Sequence, residues 1–285
     1  MFDQTSLSSA ESPGGCPRIL SSDTAADFTT LLKMIYLPGY VTLPPCRWNV
    51  LLTTAIYSFP ERNKVPDFGT FSSLLRITAK YELPTVRSQL LEVIHDAYPD
   101  TFGGLSPSKS LGEGIFSGPT PHPNAVLNLF VQQKLTSGLP MAYYMASRRG
   151  LDSLMDRRLP RSATLSPEIL QSAIRGFISL REMELKETHR LIFGSGTPRR
   201  CSSSKCPSLR VGGPRASEAH LKVFDQVTDS SQSGTKVLQV LSLADICGGD
   251  CCGFCESCVE GWEADHSEVR KKVWTALPDV FGLRG

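Results

Sequence analysis

Reaction chemistry is what this sequence has least of. It holds no GxxxxGK followed by Ser or Thr, no HExxH pair and no GxSxG turn. A phosphate cradle, a zinc-protease helix and a hydrolase elbow therefore all lack their residues. Histidine is scarce, at 5 in 285 residues, and neither His95 nor His189 has a candidate nucleophile close by in sequence. Both read as surface or structurally bonded side chains rather than general bases. An excess of one charge is missing too: 30 basic against 28 acidic residues leave +2, too little to hold a nucleic acid by charge alone. The doublets Arg148-Arg149, Arg157-Arg158 and Arg199-Arg200 are sparse and read as solvated surface.

Long apolar runs are lacking as well. The stretch Trp48 to Phe59 is interrupted by Asn49, Thr53, Thr54 and Ser58 and falls short of the ~20 residues that cross a bilayer. The opening MFDQTSLSSAESPGGC has neither a basic start nor an apolar centre, so it does not read as a signal peptide. The 9 cysteines are odd in number, and Cys251 and Cys252 are adjacent. That argues against a secreted disulfide framework and for a reducing setting inside the cell, cytoplasmic or nuclear.

What remains is an ordinary globular composition, 40% apolar and 20% charged, long enough for one large core or two modest domains. The 23 glycines and 20 prolines gather in connectors. The most legible stretch is Asp67 to Thr101, which predicts two short helices around a tight corner. Phe71, Leu74, Leu75, Thr78 and Ala79 put a mainly apolar stripe on the first. Pro84 opens the second, whose inner face would carry Val86, Leu90, Val93, Ile94 and Ala97, and Pro99 ends it. Helices this short need a partner to pack on. Upstream, Pro17 to Ser21 predicts a short strand, and Ser22 or Asp23 would cap a helix whose Phe28, Leu31, Leu32 and Ile35 keep i, i+3, i+4, i+7 spacing.

The text LLRITAKYELPTVRSQLLEVI resembles the closing helical hairpin of a BTB/POZ domain, in the form found in mushroom-type fungi. Ala79, Lys80, Tyr81 and Arg87 fall where that pattern expects them. Leu20, Ser21, Asp23, Asp27, Phe28, Leu31, Leu32 and Tyr36 match the middle of the same pattern, LPMAYYMAS resembles a later part, and the closing Trp274, Leu277-Pro278 and Phe281-Gly282-Leu283 its end. The resemblance implies an α+β, mostly helical protein: a partial BTB/POZ-like module of short sheet plus helical hairpin, then an all-helical region and a Cys-rich C-terminal segment. Against that pattern the chain is truncated at its N-terminus, without the opening strands and the usual dimerisation surface. Residues 41–60 read as an insertion or a gene-model artefact.

The expected organisation is a module over 1–102, a Gly/Ser/Pro-rich linker over 103–123, a helical region over 124–196, a flexible segment over 197–235 and a Cys-rich segment over 236–285. Asn124 and Pro140 mark helix starts, and Ser166-Pro167-Glu168 opens a helix running to Phe193 with Ile174, Phe177, Ile178, Arg181 and Leu185 along it. A last amphipathic helix would carry Trp262, Val269, Val273 and Trp274 and stop at Leu277-Pro278.

Zinc takes four thiolate or imidazole ligands, and Cys255 and Cys258 have the CxxC spacing that supplies two. Cys201 and Cys206 form the natural second pair, with Cys251, Cys252, His220 and His266 as substitutes. One structural zinc would pin the long loop to the last helix. The other reading is free thiols packing as small apolar groups. The expected function is non-enzymatic protein–protein interaction, as a BTB/POZ-type adaptor or regulator. The resemblance implies self-association, or a cullin-type ubiquitin ligase or transcriptional corepressor as partner; the small net charge and the lack of a long apolar run argue against nucleic acid and membrane. The alternatives are a zinc-binding, nucleic-acid-associated regulator acting through the cysteine cluster, and a cysteine-based redox or hydrolytic enzyme.

Overall fold

A computed structural model describes residues 23–36, 66–105, 116–193, 238 and 256–284. Eight α-helices lie among them: α1 (Ala25–Tyr36), α2 (Phe68–Lys80), α3 (Pro84–Ala97), α4 (Pro123–Gln132), α5 (Leu139–Ser147), α6 (Gly150–Leu154), α7 (Pro167–Phe193) and α8 (Glu256–Val280). The chain divides into two compact units, residues 1–92 with 116–119, and residues 93–115 with 120–285.

The α+β expectation is corrected. Among the described residues there is no strand and hence no sheet under the helical hairpin. The predicted strand at Pro17 to Ser21 lies outside the described residues, as does the 41–60 stretch. What packs on α2 in the first unit is another helix, α1. The division between the units falls inside α3, after Glu92, so the hairpin does not close a single module.

The first unit is assembled by caps and ion pairs that the sequence spells out locally. Asp67 caps α2 by accepting the Thr70 N–H at 3.1 Å and the Thr70 hydroxyl at 2.7 Å. The cap of α1 is Thr24, whose hydroxyl accepts the Asp27 N–H at 3.1 Å, rather than Ser22 or Asp23. Asp23 instead accepts from Lys80 Nζ at 2.6 Å and from the Tyr81 hydroxyl at 2.8 Å. Helix α2 buries Phe71, Leu74, Leu75, Ile77 and Thr78 but leaves Ala79 exposed, so the inner stripe turns one position earlier than expected. Phe116, from the stretch predicted as linker, lies edge-on against Phe68 and Phe71 at 5.3 and 5.2 Å. Burying such a ring is worth about 1.5–3 kcal/mol. Arg87 closes the corner by donating to the Leu75 carbonyl at 3.1 Å.

The second unit is centred on α5, buried from Met141 to Ser147 and packed by α4, α6, α7 and α8. A helix apolar all round belongs in the middle of a bundle. His122, not Asn124, caps α4, and Asn128 ties α4 to the turn at 161–163 by donating to the Ser162 and Thr164 carbonyls at 2.9 Å. Gly138 has φ +72°, and a Cβ there would meet the Tyr98 carbonyl at 2.5 Å, so glycine is required. Pro278 does not stop α8 but sits in its last turn. The stop comes at Gly282, φ +68°, with the Leu283 N–H returning to the Pro278 carbonyl at 2.7 Å. That turn swings Phe281 back over α7, where it stacks on Tyr143 at 5.0 Å and fills the notch left by Gly176.

Candidate interaction site

The predicted metal ligands are not brought together by the described chain. Cys201, Cys206, Cys251, Cys252, Cys255 and His220 lie outside the described residues. Cys258 falls in the first turn of α8, the position expected for a CxxC knuckle entering a helix. His266, one helical stretch further on, is buried, and burial, with Arg270 adding to it, lowers its imidazole to about 4. Among the described residues no three His, Cys, Asp or Glu side chains group as a metal site. Among them, too, no helix is long and apolar enough to cross a membrane. His95 and His189 are exposed.

Among the described residues one serine–histidine pair forms, at the start of α4, and its bonding is that of a helix cap. His122 Nδ1 accepts the Asn124 N–H at 3.3 Å, which leaves the neutral ring's proton on Nε2, 3.3 Å from Ser153 Oγ. In that tautomer the ring donates to the serine. Burial, with Arg149 nearby, also holds this imidazole below its ordinary value.

The feature that sequence periodicity misplaced is the orientation of α7. The sequence places Ile174, Phe177, Ile178, Arg181 and Leu185 along this helix, and a simple apolar periodicity would turn them to the core. Instead Ile178 is 48% exposed and Leu185 40% exposed, with Ile174, Phe177 and Arg181 only half-buried. The buried line runs through Ala173, Gly176, Leu180, Glu184 and Glu187. Small residues at 173 and 176 let α5 and the Phe281 ring approach closely; a Cβ at Gly176 would lie 2.0 Å from that ring. Both acids are paired. Glu184 accepts from Arg181 at 2.7 Å, and Glu187 takes Arg190 at 2.7 Å and Lys272 of α8. Burial alone would raise the Glu187 carboxyl, but hydrogen bonds from Lys272 and Arg190 carry it below its usual range, so it is charged at neutral pH.

The outward stripe is flanked by one cation and one anion. Arg175 and Glu182 are exposed, sit seven residues apart along the same edge of the stripe, and have no ion-pair partner among the described residues. Seven residues are close to two turns, so the pair sits on one line along the helix. The sequence carried a signal for this arrangement: the 174, 178, 181, 185 spacing is a coiled-coil seam of 4-3-4 steps, with Arg175 and Glu182 beside it.

The first unit repeats the inversion on a smaller scale. In α1, Phe28, Leu32 and Tyr36 are 44%, 38% and 74% exposed, while Asp27 and Thr30 are buried. Asp27 is gripped bidentately by Arg76, Nη2 to Oδ1 at 2.7 Å and Nε to Oδ2 at 3.0 Å.

A second arrangement in the second unit concerns Leu238. Its side chain is 1% exposed, its N–H donates to the Tyr144 hydroxyl at 3.3 Å and its carbonyl accepts from Arg270 Nε at 2.9 Å. The Arg270 guanidinium lies over the Phe102 ring at 5.4 Å, and Phe102 meets Trp274 edge-on at 6.4 Å.

No protein-family model matches this chain, and neither a curated protein nor a solved structure matches it.

Proposed function

We propose that this is a non-enzymatic protein–protein interaction protein that self-associates through the outward stripe of α7. The observation that carries the reading is the pairing of exposed Ile178 and Leu185 with a cation and an anion on one edge that have no ion-pair partner among the described residues. A second copy laid antiparallel on that stripe sets Ile174 opposite Leu185 and Ile178 opposite the stem of Arg181. The same dyad brings each Arg175 beside the other copy's Glu182, offset by about 3 Å along the axis and within reach of these long side chains. A parallel copy would not align these edge charges, so the charge pattern selects the antiparallel form. Arg181 tolerates the seam because its head is bonded to Glu184 while its methylenes cover apolar surface.

The reading is tested by light scattering on the full chain. A mass of twice 31.2 kDa is expected, falling to one copy in Ile178→Asp. Because Ile178 is exposed, that substitution leaves the monomer's thermal midpoint within a few degrees, about the effect of a surface change of ±0.5 kcal/mol. A wild type that stays monomeric at tens of micromolar contradicts the proposal.

A further inference from the structure

Two buried asparagines of α4 hold the ends of one exposed turn. Asn124 Nδ2 donates to the Ser153 carbonyl at 3.3 Å, and Asn128 Nδ2 donates to the Ser162 and Thr164 carbonyls at 2.9 Å. Between these anchors Leu154 is buried, and Met155 closes α6 by returning its N–H to the Leu151 carbonyl at 2.9 Å. The chain then reverses. The Leu159 N–H donates to the Asp156 carbonyl at 3.4 Å, and the Asp156 carboxylate accepts the Arg158 N–H at 2.9 Å. Arg157 and Arg158 are therefore the two central residues of a tight turn, and both are exposed, as are Pro160 and Arg161.

Arginine doublets by themselves are ordinary solvated surface. The structure adds two features to these. Charge of one sign is concentrated: residues 148–161 hold five arginines against two aspartates, leaving +3, where the whole chain carries +2. Asp156 is engaged by the turn's own backbone, and among the described residues no hydrogen bond or ion pair ties down the guanidinium of Arg157, Arg158 or Arg161. Beside them stands Met155, 49% exposed. Among the described residues it is the one exposed large apolar side chain of the second unit outside the α7 stripe. Cations and a thioether presented together on an anchored backbone suit a partner that is anionic at its surface and apolar beneath.

We propose that the turn over residues 155–161 docks on an anionic lipid membrane. The guanidiniums lie at the headgroup phosphates and carboxylates, while Met155 and Pro160 enter the boundary with the acyl chains. Such a contact is interfacial and needs no spanning helix. Because Asn124 and Asn128 already hold the turn, docking orders little new backbone. A nucleic acid fits less well: it gains nothing from Met155, and residues 148–161 include no aromatic ring for a base to stack on. The proposal shares no residue with the α7 stripe, so it holds or fails separately from self-association.

The test sediments the full chain with phosphatidylcholine vesicles, with or without about 30% phosphatidylserine, at about 0.1 M salt. Circular dichroism checks the fold of each variant. Wild type should bind the anionic vesicles at least about tenfold more tightly than the neutral ones, and should lose that preference as salt rises toward about 1 M. Removing two charges in R157Q/R158Q should weaken anionic binding about thirtyfold; Arg161→Gln, which serves alone if the pair misfolds, should weaken it about fivefold. Met155→Ser should weaken it about threefold or more without changing the salt dependence. No binding, or equal binding to neutral and anionic vesicles, overturns the proposal, as does wild-type binding by a folded arginine variant. Wild-type vesicle binding by Met155→Ser, with the arginine pair needed to retain duplex DNA, assigns the edge to a nucleic acid and overturns the lipid assignment.

Discussion

Helices α1 and α7 make the same departure from pattern in different units, and the comparison shows two ways to bury a polar face. In α1 the buried line is held by charge: Arg76 grips Asp27, while Lys80 and the Tyr81 hydroxyl hold Asp23. In α7 it is held mainly by shape, with Ala173 and Gly176 admitting their neighbours and the ion pairs of Glu184 and Glu187 further along. Either device turns a large apolar stripe outward. Among the described residues, the α7 stripe is bordered by a cation and an anion without ion-pair partners, in a register that a second copy can complete, so the shape-packed helix is the one assigned an interface.

The comparison breaks first at Gly176. Alanine there gains about 1 kcal/mol in helix propensity but drives a Cβ to 2.0 Å from a Phe281 ring that is stacked on Tyr143. Overpacking at the upper end, about 3 kcal/mol, should win, and denaturant unfolding of Gly176→Ala should show a net loss. A stabilised variant would mean that the α7 face is not shape-packed.

The matching change in the first unit is Asp27→Ala, expected to cost about 1–3 kcal/mol by leaving Arg76 without its carboxylate. Hydrogen bonds from Arg76 and Ser73 outweigh burial and lower the Asp27 carboxyl. The unfolded chain therefore binds this proton first, and the stability it confers, present at neutral pH, is lost as pH falls through the carboxylate range. A variant whose pH dependence below 5 equals that of wild type would contradict the ion-pair account of α1.

A histidine sharpens the contrast. With the folded value of His266 lowered from 6.5 to about 4, stability is full above 6.5 and declines as pH drops toward 4. The loss should be about 2 kcal/mol, read from urea midpoints between pH 7 and pH 5, where carboxylates contribute little. His266→Asn should flatten that slope. An unchanged slope would move the titration elsewhere.

Much of the helical order was legible because caps and breakers act locally. Asp67, Pro84 and Ser166 each mark a start that the structure keeps, and α2, α3 and α7 have nearly the expected bounds. Facing was not legible in α1 and α7, because periodicity assigns the largest apolar residues to the core. Here close approach at Gly176 and a bidentate pair at Asp27 decided it, and both depend on residues far along the chain. The expected sheet came from resemblance rather than from any alternating run in the described residues. Phe116 was missed because a single aromatic in a Gly/Ser/Pro-rich stretch has no period to announce it. The proposed zinc ligands Cys201, Cys206, Cys255 and Cys258 stand as the sequence left them, testable by metal content of the purified chain.

Charge reversal across the α7 seam tests self-association most directly. Arg175→Glu and Glu182→Arg, each alone, should weaken the dimer by setting like charges beside one another in both edge pairs, and sedimentation should show a higher dissociation constant. The double variant R175E/E182R should recover wild-type dimerisation, because both edge pairs are restored with reversed sign. Two weakened single variants whose combination is weaker still would contradict the antiparallel interface.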